Sequence, residues 1–139
     1  MKFSARILAI AVMMMPFMAT AHAQDSQKIV AQVPFEFMVG NHLVPAGKCT
    51  VKAAERYGTV LQIQDQKISL YSLISSSETQ PNGGANALIF HKYGDRYFLA
   101  GMELAGSHLM LRLPEGKVEA ELRAQNTTGT EEILLAGLQ

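Results

Sequence analysis

The residues best suited to chemistry in this 139-residue chain crowd one short stretch: His91, Tyr93, Asp95, Arg96 and Tyr97. Such a set could supply a general base with an acid near it, or the rim of a ligand site. General-base work needs a polarising partner within hydrogen-bond reach and a pocket that excludes water. Asp95 falls at the tip of an expected hairpin and His91 lies several residues down its strand, so the spacing argues against a direct dyad. Hairpin chemistry accounts for the same residues, with Gly94-Asp95 making the turn and the aromatics covering the sheet. The candidate ligand-binding residues are therefore His91, Tyr93, Arg96 and Tyr97, and no catalytic residue is assigned.

Other reactive groups are sparse. His42, His91 and His108 are never two or four residues apart, so no local metal pair is expected. His-Glu-x-x-His, Gly-x-Ser-x-Gly, Gly-x-Gly-x-x-Gly, Cys-x-x-Cys and the P-loop are all missing, and no cofactor is implied. Cys49 is the single cysteine, which excludes an internal disulfide. It continues an apolar alternation with Val51 and Ala53, so it reads as a small buried hydrophobe, with an intermolecular disulfide as the alternative. Glu119 and Glu121 look like paired carboxylates, but on a helix or a strand they read as a solvated surface. Tyr57, Tyr71, Tyr93 and Tyr97 could form a platform for a sugar, although there is no Trp. A small barrel could instead hold an apolar ligand.

The elements that must position these groups are mostly strands. Ile29, Ala31, Val33, Phe35, Phe37 and Val39 occupy every second position, with a break or bulge expected at Pro34. Gly40-Asn41 suits a tight hairpin, and Val44 to Gly47 a second turn. Tyr57-Gly58 marks a turn, Val60 to Gln64 a strand, and Lys67 to Ser75 the next. Ser76 to Ala85 is polar and reads as the long mobile loop. Ala87 to Tyr93 and Arg96 to Glu103 flank Gly94-Asp95, which sets Tyr93 opposite Arg96, Lys92 opposite Tyr97 and His91 opposite Phe98. Leu109, Leu111 and Leu113 alternate again. Residues 117–125 fit either a strand or a helix. Glu-Ala-Glu-Leu-Arg-Ala favours the helix, with Gly116 as its N-cap and Glu119 at the third position. Glu132 to Ala136 closes the chain as a strand, and on an open sheet it or its neighbours could recruit a partner strand.

The composition is 48% hydrophobic and 17% charged, which excludes disorder. Lys2 and Arg6, the apolar Ile7 to Met18 and the small residues of Ala21-His22-Ala23 read as a secretory signal cleaved before Gln24. The apolar run is shorter than the ~20 residues of a spanning helix, so no transmembrane segment is expected after cleavage. Two of the 12 Lys and Arg fall in that segment, which leaves residues 24–139 at a net charge of −2 against 12 Asp and Glu. That balance provides no basic stripe for nucleic acid.

Three segments stand out: Val33-Pro34-Phe35-Glu36-Phe37-Met38-Val39-Gly40-Asn41, then Leu43-Val44-Pro45-Ala46-Gly47-Lys48-Cys49-Thr50-Val51, then Ile89-Phe90-His91-Lys92-Tyr93-Gly94-Asp95-Arg96-Tyr97-Phe98-Leu99. Together they resemble a family of small exported bacterial β-rich proteins of unknown function. The resemblance implies a short acidic helix near the end, which supports the helix over Lys117 to Ala124. It carries no activity, ligand or catalytic residue. Cys49 departs from the family pattern, where an aromatic is more usual.

The expectation is a signal over residues 1–23 and one β-rich domain over 24–139. The fold class is mainly β, an antiparallel sandwich or small barrel of about seven or eight short strands with one short C-terminal helix. The expected protein is periplasmic or secreted, a non-enzymatic structural, interaction or ligand-binding module of the cell envelope. Its partner would be an envelope protein or a small apolar or sugar ligand. The alternatives are a small-ligand carrier with an apolar cavity and, last, a hydrolase-like enzyme using His91.

Overall fold

The computed structural model describes residues 28–53, 60–81, 84–125 and 128–135. The expected signal, the Tyr57-Gly58 turn and Ala136 lie outside them. The predicted alternation from Ile29 to Val39 is present, but Pro34 divides it. Proline has no N–H to give to a ladder, and the chain leaves one sheet there and enters another. The strand before it is β1 (Lys28–Val33) and the strand after it β2 (Phe37–Val39). Next come β3 (His42–Val44), β4 (Gly47–Ala53), β5 (Val60–Gln64), β6 (Ser69–Leu73) and β7 (Ser76–Thr79). They are followed by β8 (Ala87–Tyr93), β9 (Arg96–Leu104), β10 (Leu109–Arg112), α1 (Lys117–Ala124) and β11 (Gly129–Leu135).

Both predicted two-residue hairpins form. Gly40 and Gly94 take φ of 58° and 61°. In each case the glycine is the first central residue, the position that needs positive φ in a II′ turn matched to strand twist. Tyr93 then faces Arg96, Lys92 faces Tyr97 and His91 faces Phe98, as the sequence implied.

The strands make two sheets. One is antiparallel in the order β1-β4-β5-β6; the other runs β11-β8-β9-β10-β7. β2 adds to β9 in parallel through Phe37 opposite Tyr97 and Met38 opposite Phe98, and carries β3 with it. The mainly β class is therefore correct, as a sandwich whose sheets do not close into a barrel. β9 is the longest described strand, nine residues, and one of its edges is divided. β2 pairs with its start, and β10 with Gly101 to Leu104. Between them β8 and β9 slip register, Ile89 lying opposite Gly101 and Phe90 opposite Leu99. Ala100 is the extra residue of this bulge, and its carbonyl accepts the Leu113 N–H at 2.8 Å.

One cluster of buried side chains fills the space between the sheets. Ile29, Ala31, Val33, Val51, Leu61 and Ile63 from one sheet meet Phe37, Leu88, Phe90, Leu99, Met102 and Leu111 from the other. Phe35 and Phe37 meet Phe90 edge to face at 5.0 and 5.2 Å. Ile89, Ala100 and Met110 form a small second cluster. Cys49 is buried in the main core opposite Ala31. Burial, with help from the Asp65 carboxylate, pushes its thiol up to about 11.

Two expectations change. The count of strands among the described residues is eleven, because Pro34 splits a predicted strand, the short β3 forms between the two expected turns, and β7 forms where a loop was expected. Residues Ser76 to Thr79, expected in a mobile loop, are β7, whose backbone pairs with β10 from Ser76–Arg112 to Thr79–Leu109. Polar side chains do not prevent this, since an edge strand with both faces wet needs only a backbone partner. The ambiguous segment over 117–125 is a helix from Lys117 to Ala124 with Gly116 as N-cap, as favoured.

Two tests follow from this packing. A Cβ at Gly101 would run into the Leu111 carbonyl on the adjoining strand. Backbone cannot yield as a side chain tip can, so Gly101→Ala should cost ~1–3 kcal/mol, measured by urea denaturation. The folded protein should resist iodoacetamide at about pH 8 and react at Cys49 once unfolded. The unfolded thiol ionises near its ordinary 9.0 while the folded one waits until about 11. The unfolded state therefore binds fewer protons across that window, and stability should fall as pH rises through it.

Candidate functional site

His91 and Tyr93 are two residues apart on β8, so they share a face. It is the face turned away from the main core, where Ile89 also lies. α1 covers it. The helix starts at Gly116, whose extended backbone (φ −77°, ψ 165°) ends the preceding loop. The Ala120 N–H bonds the Gly116 carbonyl at 3.0 Å and the Gln125 N–H the Glu121 carbonyl at 3.1 Å. Arg123 and Glu115 pair at 2.8 Å along its exposed side. Val118 and Leu122, four apart, are half-buried as the helix reading required.

Glu119 departs from expectation. Its side chain turns under the helix and is only 5% exposed. One carboxylate oxygen, Oε1, lies 2.6 Å from His91 Nδ1 and accepts the Tyr93 hydroxyl at 3.2 Å. The expected solvated surface therefore holds for Glu121, which is exposed, and fails for Glu119. A buried carboxylate is tolerable only with partners, and the hairpin strand supplies two. The first turn of α1 adds a favourable field for the negative charge. Burial and the neighbouring Glu119 carboxylate together push the Tyr93 hydroxyl above its usual value, burial being the larger cause.

The far side of the imidazole meets a second carboxylate. His91 and Glu131 face each other across β8 and β11, with Nε2 3.8 Å from Glu131 Oε2. Arg112 donates to that same oxygen from Nη1 at 3.4 Å, and its Nε lies 3.9 Å from Glu78. One guanidinium thus connects carboxylates on β11 and β7. These outer pairs are solvent-accessible and contribute at most about 1 kcal/mol each. On the Glu119 side of the ring a recess of about 110 Å³ opens, lined by His91, Tyr93, Ala100, Leu113, Glu115, Glu119 and Arg123.

The other two candidate residues sit apart. Tyr97 is on the opposite face of β9, stacked on Phe35 at 3.7 Å with Lys92 over its ring at 5.3 Å. Arg96 lies over Phe98 at 5.9 Å. Both line a second recess of about 220 Å³ with Glu36, Phe37, Met38, Leu43 and Asp95. The four residues thus divide between two places.

Carboxylate contact at Nδ1 is what orients a histidine to exchange a proton through Nε2. Here Nε2 lies 3.8 Å from Glu131 Oε2. Through Glu119 the arrangement fastens a helix to a sheet. Among the described residues no three His, Cys, Asp or Glu side chains gather as metal ligands would. His42 is on β3, and His108 ends the Ala105–Ser107 turn with a left-handed φ of 53°. Comparison with known proteins finds no matching family model, no matching curated protein and no matching solved structure.

Glu119 had one legible signal. It lies three residues before Leu122, so on a helix it shares a side with an apolar residue. Removing it strands His91 and Tyr93 beneath the helix. Glu119→Ala should cost ~1–3 kcal/mol, the range for leaving hydrogen-bonding groups without their partner, and Glu119→Gln, which keeps an acceptor, less. Thermal denaturation of the two variants checks the order.

Proposed function

We propose that this chain is an exported, non-enzymatic module of the bacterial cell envelope that acts through its surface, by holding structure, a partner or a small ligand. The carrying observation is how His91, the chain's best candidate for chemistry, is engaged: Nδ1 by the buried Glu119 and Nε2 beside Glu131. A histidine held this way is a fastener. The export half of the proposal rests on Lys2, Arg6, the apolar Ile7 to Met18 and Ala21-His22-Ala23. The resemblance to small exported bacterial β-rich proteins agrees with it. No helix among the described residues is long and apolar enough to cross a membrane.

A small ligand, such as a sugar, would be held in the recess of Arg96 and Tyr97. It combines an aromatic ring, a guanidinium and the acids Glu36 and Asp95 in the larger of the two spaces. The oriented imidazole of His91 favours the hydrolase-like reading as the one specific alternative.

His91→Ala separates the two. A fastener loses thermal stability, and whatever the protein binds at Arg96 and Tyr97 stays bound. A general base loses, with the substitution, a turnover of an ester or glycoside panel that the unaltered protein shows; an unaltered protein that turns over none of the panel leaves the fastener alone. Native mass spectrometry of the protein purified from the producing cell tests export. The expected mass is that of Gln24 to Gln139, and a chain retaining residues 1–23 would rule out the processing.

A further inference from the structure

The four-stranded sheet ends on β6, and among the described residues no strand pairs with its outer edge. Which backbone groups that edge offers follows from the β5–β6 hairpin. The Asp65 N–H bonds the Ile68 carbonyl at 3.0 Å, which makes these two a hydrogen-bonded pair. The ladder continues from them without a shift, Gln64 opposite Ser69 through to Val60 opposite Leu73. Antiparallel pairs alternate between bonded and non-bonded. Leu70 and Ser72 therefore aim their N–H and C=O groups at β5, while Ser69, Tyr71 and Leu73 aim theirs outward. The same three carry their side chains on the outer face of the sheet. Tyr71 is 66% and Leu73 65% exposed.

Free edges are normally guarded by charge, proline or a bulge. β11 carries Glu131 and Glu132, β7 carries Glu78 and β1 begins with Lys28. β6 reads Ser-Leu-Tyr-Ser-Leu and carries none of these guards. The outer-face residues beside it on β5, Val60, Gln62 and Gln64, are uncharged as well. A second copy of the chain presents the same neutral strip. Placed against itself, β6 meets no like charge, whereas β11 or β7 against its own copy would set glutamate near glutamate.

We propose that β6 is a self-association edge, through which two copies pair antiparallel about a two-fold axis at Tyr71. In this register Tyr71 lies opposite Tyr71 of the second copy, and Ser69 opposite Leu73 in both directions. All three outward-facing residues find bonded partners, each pair exchanging two N–H···O bonds. The tyrosine rings meet on the outer face, and each Leu73 lies diagonal to the other copy's Tyr71, within reach of its ring. The two four-stranded sheets become one continuous sheet, and the interface is isologous, as closed dimers require.

The test is sedimentation equilibrium of the protein as purified from the producing cell, over a concentration series from about 1 μM to about 1 mM. The expected result is a reversible twofold rise in mass. Tyr71→Lys/Leu73→Lys should hold the protein as a monomer throughout with its circular dichroism unchanged, and Ile133→Lys, on β11, should leave the dimer intact. Tyr71→Cys should form a disulfide-linked dimer in air, because the axis brings the two positions opposite each other and Cys49 is buried. A monomer at every concentration overturns the proposal, even if another protein is found on the edge. So does a dimer that survives the double lysine variant or is broken by Ile133→Lys. A dimer that Tyr71→Cys fails to cross-link overturns the axis at Tyr71.

Discussion

β9 is the constraint on which the rest of the larger sheet depends. One of its edges belongs to β8, and the other is divided between the parallel β2 and the antiparallel β10. A single strand cannot serve both neighbours without an adjustment, and the bulge at Ala100 sits where one hands over to the other. The bulge also resets the faces of β9: Leu99 points into the main core before it, and Met102 and Leu104 do after it. β8 alternates without a break, Leu88 and Phe90 pointing into the main core and Ile89, His91 and Tyr93 away. That outward set makes room for a helix and decides what the helix must bring. The Leu113 N–H bonds the Ala100 carbonyl just before the chain turns into α1, so the bulge anchors the approach to the helix as well.

α1 is made of good helix formers but is only eight residues long, too short to hold a helix by itself. Its place on the sheet comes from a modest apolar contribution by Val118 and Leu122 and from one buried carboxylate. Burying Glu119 is unfavourable in isolation. Two donors from the sheet and the field of the first helical turn offset it. The result specifies position more than it adds stability, since the carboxylate finds both partners only when the helix lies in one register on β8.

The two sheets carry different risks at their edges. The larger sheet is bordered by glutamates, and Arg112 connects its two ends through Glu78 and Glu131. The smaller sheet has a lysine at one border and a bare, neutral strand at the other. With its one thiol buried and no disulfide to brace it, the described chain relies on side-chain packing between the sheets.

Much of the fold was legible along the chain. Period-two alternation located β1, β4 and β10, Gly40-Asn41 located one hairpin, and Gly94-Asp95 located β8 and β9 on either side of another. Both signals are local: a side chain's face follows from its parity, and a turn's shape from the residue that tolerates positive φ. The strand β7 was not legible, because its side chains are all exposed and only its backbone has a partner. Nor was the site. His91 and Tyr93 line one recess, and Arg96 and Tyr97 another. Glu119 is 28 residues from His91, and nothing in either neighbourhood names the other. The sequence by itself determined which residues alternate, where the chain turns and that no covalent brace is available. Tertiary structure alone decided that an ordinary surface glutamate would be buried as the fastener of a helix. Desolvation and pairing depend on what the fold brings within a few ångströms, and local pattern contains no record of that.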